Sequence, residues 1–441
     1  MSPLLVTGLA VLVLLILILR FKIPAFAALI AVSLVAALAA GMDWDSATDT
    51  VVRGMGGTLG FIAVIIGLGA LFGTLLEVSG GLERLARRLA GSRLSGPGLG
   101  FVGLVAAIPV FFDVALLILA PVALALSRKV KRPVMLYGLP LLVGLATAHA
   151  FIPPTPGPVA IADILGVELG WVIFVGAVCG LPAFLLAGPV LVSTLSRLNW
   201  LPERIADDNA DGFHAHDREQ LSGGLVILLI LQPLGLILAG TLATMLLEPG
   251  PLRDVMRIAG HPFVALMIAC GLAAVAVSGL GEEVRSRMAS GMVRALEPTG
   301  AVILVTGAGG AFKQVLVDTG GGEQLAQWAL GLGILPIMAG FLLALLVRVA
   351  QGSATVAMIT AAGLIAPVAD TAGLGNWDLA CLAIAIAAGA SALSHVNDSG
   401  FWLVSRVFGL SEAQTLRSWT LATGVLGISG LASALTLSAL F

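Results

Sequence analysis

Arg348 stands one helical turn ahead of Gln351-Gly352-Ser353-Ala354-Thr355, within a stretch that is otherwise apolar from 334 to 368. A guanidinium can hold a carboxylate in a two-pronged fork, and Gln351, Ser353 and Thr355 add neutral hydrogen-bonding groups. Pairing of Arg348 with an acidic neighbour such as Asp113 is the structural alternative. Lys313 is a second cation inside an apolar run, with Asp318 near the end of the same run. It either joins the same chemistry or snorkels outward. One or two cations among neutral donors and acceptors suit a small polyhydroxylated anion.

Two carboxylates and two imidazoles sit in comparable places. Asp113 closes Pro109-Val110-Phe111-Phe112-Asp113, and Asp398 lies in His395-Val396-Asn397-Asp398-Ser399-Gly400. Either can carry a proton or accept a hydroxyl, and either can instead cap a helix that starts at a break. His149 and His395 can exchange protons near neutral pH or hold a broken helix together. Asn397 and Ser399 add neutral partners. The run His149 to Pro158 has four prolines in six positions. Prolines remove donors and fix φ, so this run is expected to be unwound, with Thr155 and Gly157 free to meet a polar ligand.

Composition dictates what surrounds these residues. The chain has 441 residues, 59% hydrophobic and 11% charged, with a mean hydropathy of +1.06. Soluble domains carry about 25% charged residues, so a water-soluble enzyme, a nucleic-acid binder and a disordered scaffold are excluded. Apolar runs near bilayer length recur throughout, and nothing alternates as barrel strands do. The reading is an all-α polytopic membrane protein, in the simplest case of a bacterial inner membrane. Cys179, Cys270 and Cys381 lie in apolar runs without ligand spacing, and no metal or organic cofactor is expected. The apolar stretch from Pro3 to Leu19 has no basic residue ahead of it and reads as a first spanning helix rather than a signal peptide.

Apolar windows fall near 3–20, 23–41, 57–79, 98–128, 133–166, 169–195, 223–247, 262–280, 298–319, 334–368, 378–409 and 418–440. Basic residues flank 98–128 on both sides, which by the positive-inside rule puts both ends in the cytoplasm. Arms of about 15 residues reach about 22 Å each, too short to cross twice. The stretch is therefore a re-entrant hairpin with its tip at 109–113. The flanks of 334–368 lack Lys and Arg, so that hairpin enters from outside with its tip at 351–355. The segments 133–166 and 378–409 read as broken helices. This arrangement puts eighteen of the 23 basic residues inside and three outside, with both termini periplasmic. Residues 200–222, with His214 and His216, form a cytoplasmic linker between units 1–199 and 223–441.

The halves repeat. Residues 67–86 match 307–326 at nine of twenty positions, including Gly67, Gly69 and Phe72 against Gly307, Gly309 and Phe312. Farther on, Ala120-Pro121-Val122 matches Ala366-Pro367-Val368 and His149 matches His395. Opposite starting sides make this an inverted-topology repeat, an architecture of many secondary transporters, with breaks and tips meeting near the midplane.

At several motifs the chain resembles the gluconate permease (gluconate:proton symporter) family. They are Gly54 to Phe61, Ile108 to Val114, the long proline run His149 to Gly166, Phe312 to Asp318, Arg348 to Ala357 and His395 to Phe401, and they span roughly 50 to 410. The resemblance implies uptake of gluconate, a related sugar acid or a small hydroxy acid with protons. It also implies kinship with an ion-transporter superfamily whose members resemble inverted-repeat homodimers with a mobile transport domain. Carried over, the superfamily's tip site falls on Asp113 and Ser353 to Thr355. Its unwound-helix site falls on Pro154 to Gly157 and Asn397 to Ser399. Binding roles for Arg348 and Lys313 come from the residues alone. Sodium coupling on the same architecture stays open, because unwound carbonyls can coordinate Na⁺. No HExxH, GxSxG or Walker pattern supports an enzyme.

Overall fold

The computed structural model describes residues 3–81, 84, 96–205, 221–280, 282–295, 297–321, 324, 327, 335–396 and 398–440. Every regular element among them is helical. The first half contains α1 (Pro3–Leu19), α2 (Ala25–Ala39), α3 (Trp44–Val78), α4 (Gly96–Ala106), α5 (Phe112–Val130), α6 (Met135–Phe151), α7 (Pro156–Leu165) and α8 (Leu169–Arg197). The second contains α9 (Gly223–Leu246), α10 (Pro251–Ala259), α11 (Pro262–Ser278), α12 (Glu282–Ala295), α13 (Glu297–Asp318), α14 (Pro336–Gln351), α15 (Ala354–Thr371), α16 (Asn376–Ser391), α17 (Ser399–Phe408) and α18 (Glu412–Ser438). Six of the described segments, one of them α6 and α7 taken together, are long and apolar enough to cross a membrane.

The outer helices show which solvent they meet. Leu228, Leu246, Val275 and Phe174 are exposed on α9, α11 and α8, apolar side chains that face lipid without cost. By contrast, α16 buries every residue from Leu379 to Ser391, and α6 is nearly as enclosed. The functional elements therefore lie at the centre, and the more uniform helices wrap them.

The same order of elements occurs in both halves once the short α10 and α12 are set aside. The packing is exchanged between them as well: α11 lies on α3, and α2 lies on α13. Helices α3 and α13 cross where Gly54, Gly307 and Gly310 leave no side chain, and a Cβ on Gly54 would sit 2.7 Å from the Gly310 carbonyl oxygen. Small residues at a crossing let two apolar helices touch by their backbones. At one end of the crossing Asp318 receives Thr50 at 3.0 Å and Arg53 at 3.2 Å.

Helix α3 starts thirteen residues before the apolar window at 57. Asp43 caps it, accepting from the Ser46 N–H at 2.9 Å and from the Ser46 hydroxyl at 2.7 Å. Those bonds hold the Asp43 carboxyl below its ordinary range. Helix α10 is also absent from the apolar windows, since Arg253, Asp254 and Arg257 break any hydrophobic run there. It meets α11 at a 63° bend.

In each half the first arm ahead of a tip packs against the helix ahead of a break, α4 on α6 and α14 on α16. Gly144 of α6 permits the first contact. A Cβ there would run into the Gly100 carbonyl oxygen and lie 2.9 Å from the Leu104 nitrogen. Backbone atoms cannot rotate away as a side chain can, so Gly144→Ala is expected to cost about 1–3 kcal/mol. A lowered melting temperature in detergent would report it. Gly8→Ala, where a Cβ meets nothing within 4 Å, should melt with the wild type.

Candidate functional site

Three helix interruptions line the site and a fourth lies beside it. The tip between α4 and α5 covers Ala107–Phe111, and α5 begins without a side-chain cap. The tip between α14 and α15 is only Gly352-Ser353. Gly352 adopts φ +86°, the left-handed region open to glycine, and Ser353 accepts from the Val356 N–H at 3.3 Å. The break between α16 and α17 ends at Asp398, whose carboxylate accepts from the Gly400 N–H at 3.0 Å. The break between α6 and α7 is Ile152–Thr155.

That last break corrects the expectation for the proline run. Only four residues are unwound, because Pro156 and Pro158 lie in the first turn of α7. Proline is tolerated there, since first-turn N–H groups have no helical acceptor.

A cavity of 480 Å³ is lined by the first residues of α5, α15 and α17, together with α6, α13, α14, α16 and α18. Three helix N-termini thus converge on one space, each bringing positive dipole charge, and α5 leaves its first N–H groups without a side-chain cap. Such an end is a ready anion site. Asp113, His149, Arg348, Gln351, Ser353, Thr355, Asp398 and Ser399 all line the cavity.

Arg348 is the only cation among the described lining residues, and it is 5% exposed. One terminal nitrogen donates to the Gly352 carbonyl, and the other pairs with Asp398. Asp398 also accepts from the Ser394 hydroxyl. The guanidinium thus pairs with Asp398, and the structure does not join it to Asp113. Three buried polar atoms on cavity-lining residues have no protein partner: Arg348 Nε, Gln351 Oε1 and His149 Nδ1. Buried polar groups are nearly always bonded, so this cluster marks a place for a polar ligand.

The remaining candidates lie elsewhere. Thr155 is buried and donates to the Ile152 carbonyl at 2.7 Å. Gly157 faces Met358, onto whose sulfur a Cβ would run. Lys313 donates to the Ile164 carbonyl at 2.6 Å, satisfying the end of α7, and lies 3.9 Å from Asp370. A ring nitrogen of His395 bonds the Val349 carbonyl at 2.9 Å. Asn397, His214 and His216 lie outside the described residues.

The family model described as the GntP family permease matches residues 2–440. The chain belongs to the GntP permease family. The low-affinity gluconate transporter of Escherichia coli K12 is 38% identical over 430 residues, covering 96% of this chain and 95% of that one. The gluconate permease of Pseudomonas aeruginosa is 35% identical, covering 96% and 95%. Among solved structures, MtrF of Neisseria gonorrhoeae superposes with a TM-score of 0.59 at 15% identity, covering 88% of this chain and 83% of that one. That likeness concerns the fold alone.

A GntP permease is a transport protein and not an enzyme, and this one has lining residues that sequence reasoning passed over. Trp419 and Thr423 enter from α18, and Trp419 stacks on Phe112 at 5.6 Å. Ser394 joins Asp398 to α18. Its hydroxyl accepts from Trp419 Nε1 at 2.8 Å, its N–H donates to Thr423 at 3.0 Å, and its carbonyl accepts from Thr420. A readable signal lay nearby: Ser411 and Gln414 form a capping box that starts α18 at Glu412.

Proposed function

We propose that this permease imports gluconate, or a related sugar acid or small hydroxy acid, in symport with protons by alternating access. The observation that carries the reading is the convergence of three helix N-termini and Arg348 on one cavity. An anionic head matches those groups, and Gln351, Ser353, Thr355 and Ser399 offer hydrogen bonds to hydroxyls. Full-length relatives named as gluconate transporters support the same substrate class. The carboxylate of Asp113, which pairs with no described residue, supports proton coupling.

Alternating access is read from the two tips, one in each half of an inverted repeat, that approach the cavity as re-entrant hairpins. Basic loops on the cytoplasmic side leave both termini periplasmic, and two copies assemble as a homodimer. Labelled D-gluconate uptake into proteoliposomes, with an inward proton gradient and no Na⁺, tests the reading. Uptake that collapses with a protonophore is the expected result. Uptake that appears only when Na⁺ is added would move the coupling to sodium, and no gluconate uptake under either condition would remove the substrate.

A further inference from the structure

We infer that the coupling proton travels on Asp113, while Asp398 stays ionised and acts as a positioning residue for Arg348. The inference deepens the proton-coupled sugar-acid reading and rests on it. Two carboxylates line one cavity, and their surroundings treat them in opposite ways.

Asp398 is 8% exposed and fully engaged. One oxygen takes Arg348 and Ser394, and the other takes the Gly400 N–H. All three are donors to a carboxylate, so protonation would weaken each of them. Asp113 is exposed to the cavity and makes no hydrogen bond or ion pair with any described residue. A proton there breaks nothing.

Charge counting then links the proton to the substrate. Arg348, Asp113 and Asp398 are the charged groups among the described lining residues, and together they carry one net negative charge. A carboxylate ligand would bring a second negative charge into a space with a single cation. Arg348 and Asp398 offset each other, so the uncompensated charge that the ligand meets is that of Asp113. Its protonation lifts the repulsion whether or not Asp398 is charged, and anion and proton bind together. Entry takes the proton from the outer solution, and exit returns it to the cytoplasm.

The other groups around Asp113 do not serve. His149 on α6 has Nδ1 buried without a protein partner, so an imidazolium formed before the ligand arrives would bury an uncompensated N–H, whereas Asp113 takes its proton facing the cavity. Glu77 of α3 lines the neighbouring cleft with Phe111 and Val114. Arg128 and Lys129 sit at the far end of α5, and Arg406 at the far end of α17. Glu412 and Arg417 belong to the opening turns of α18, and neither lines the cavity.

The test is the affinity of the purified full chain for D-gluconate between about pH 5 and about pH 8, read by calorimetry. Wild-type affinity should weaken toward about tenfold per pH unit once the free carboxyl ionises. Asp113→Asn should bind at the low-pH affinity with no slope, and Asp113→Glu should restore the slope. Asp398→Asn should bind more weakly at every pH yet keep the wild-type slope, which a merely structural loss would not single out. A sloping Asp113→Asn or a flat Asp398→Asn overturns the assignment. Should Asp113→Asn fail to fold, the slope of Asp398→Asn decides by itself. A flat wild type overturns proton coupling together with this inference, whereas a wild type that does not bind gluconate overturns the substrate reading beneath it.

Discussion

Arg348→Met is expected to abolish uptake and to melt well below the wild type, while Arg348→Met/Asp398→Asn should recover most of the stability and none of the uptake. The reasoning starts from burial. Arg348 and Asp398 are 5% and 8% exposed and form an ion pair. Removing one partner of a buried pair leaves an uncompensated charge and costs about 3–5 kcal/mol. Removing both charges withdraws that penalty, which is why the double variant should melt later than the single one. Transport does not return, because no other cation lines the cavity among the described residues.

Arg348→Lys separates charge from geometry. The guanidinium reaches the Gly352 carbonyl and Asp398 at once through two nitrogens, and an ammonium on a shorter fork-less stem cannot hold both in plane. Substrate affinity should fall by about tenfold, as expected for a lost hydrogen bond to a charged group. Thermal melts in detergent alongside uptake assays distinguish these results. A double variant no more stable than Arg348→Met would show that the pair is not the source of the penalty.

The interruptions were the most legible part of the chain. Pro109, Gly352 and the proline run announce places where a helix cannot continue, because the chemistry of proline and glycine is local. The same locality misled at Pro156 and Pro158. A count of prolines says nothing about where a new helix begins, and at its first turn proline is favoured. Thr155 and Lys313 show a second limit. Their types fitted a polar site, but each is used by a carbonyl, Ile152 for one and Ile164 for the other. The latter lies 149 positions away, and no spacing rule reports such a partner. His149 and His395 match in the repeat yet only His149 lines the cavity, so sequence equivalence did not carry equivalent surroundings. Trp419 and Thr423 were hidden because α18 reads as one more apolar rod. Their polar atoms matter only against Ser394, on a different helix break.

Ser394→Ala is therefore expected to weaken both the fold and the site. Ser394 is fully buried, and its hydroxyl stands between Trp419 Nε1 and the Asp398 carboxylate. Alanine leaves the backbone bonds to Thr420 and Thr423 in place, but it strips a partner from an indole that is only 3% exposed. An unsatisfied buried donor costs about 1–3 kcal/mol. The indole also stacks on Phe112, the neighbour of Asp113, so its loosening reaches the cavity wall and should lower substrate affinity several-fold. Ser405→Ala supplies the comparison. Ser405 is buried and donates to the Leu410 carbonyl at 2.8 Å, closing the far end of α17 away from the cavity. It should lose comparable stability and keep the wild-type affinity. Equal affinity losses in the two variants would mean that Ser394 acts through the fold in general, and a loss confined to Ser394→Ala ties α18 to the Arg348–Asp398 pair.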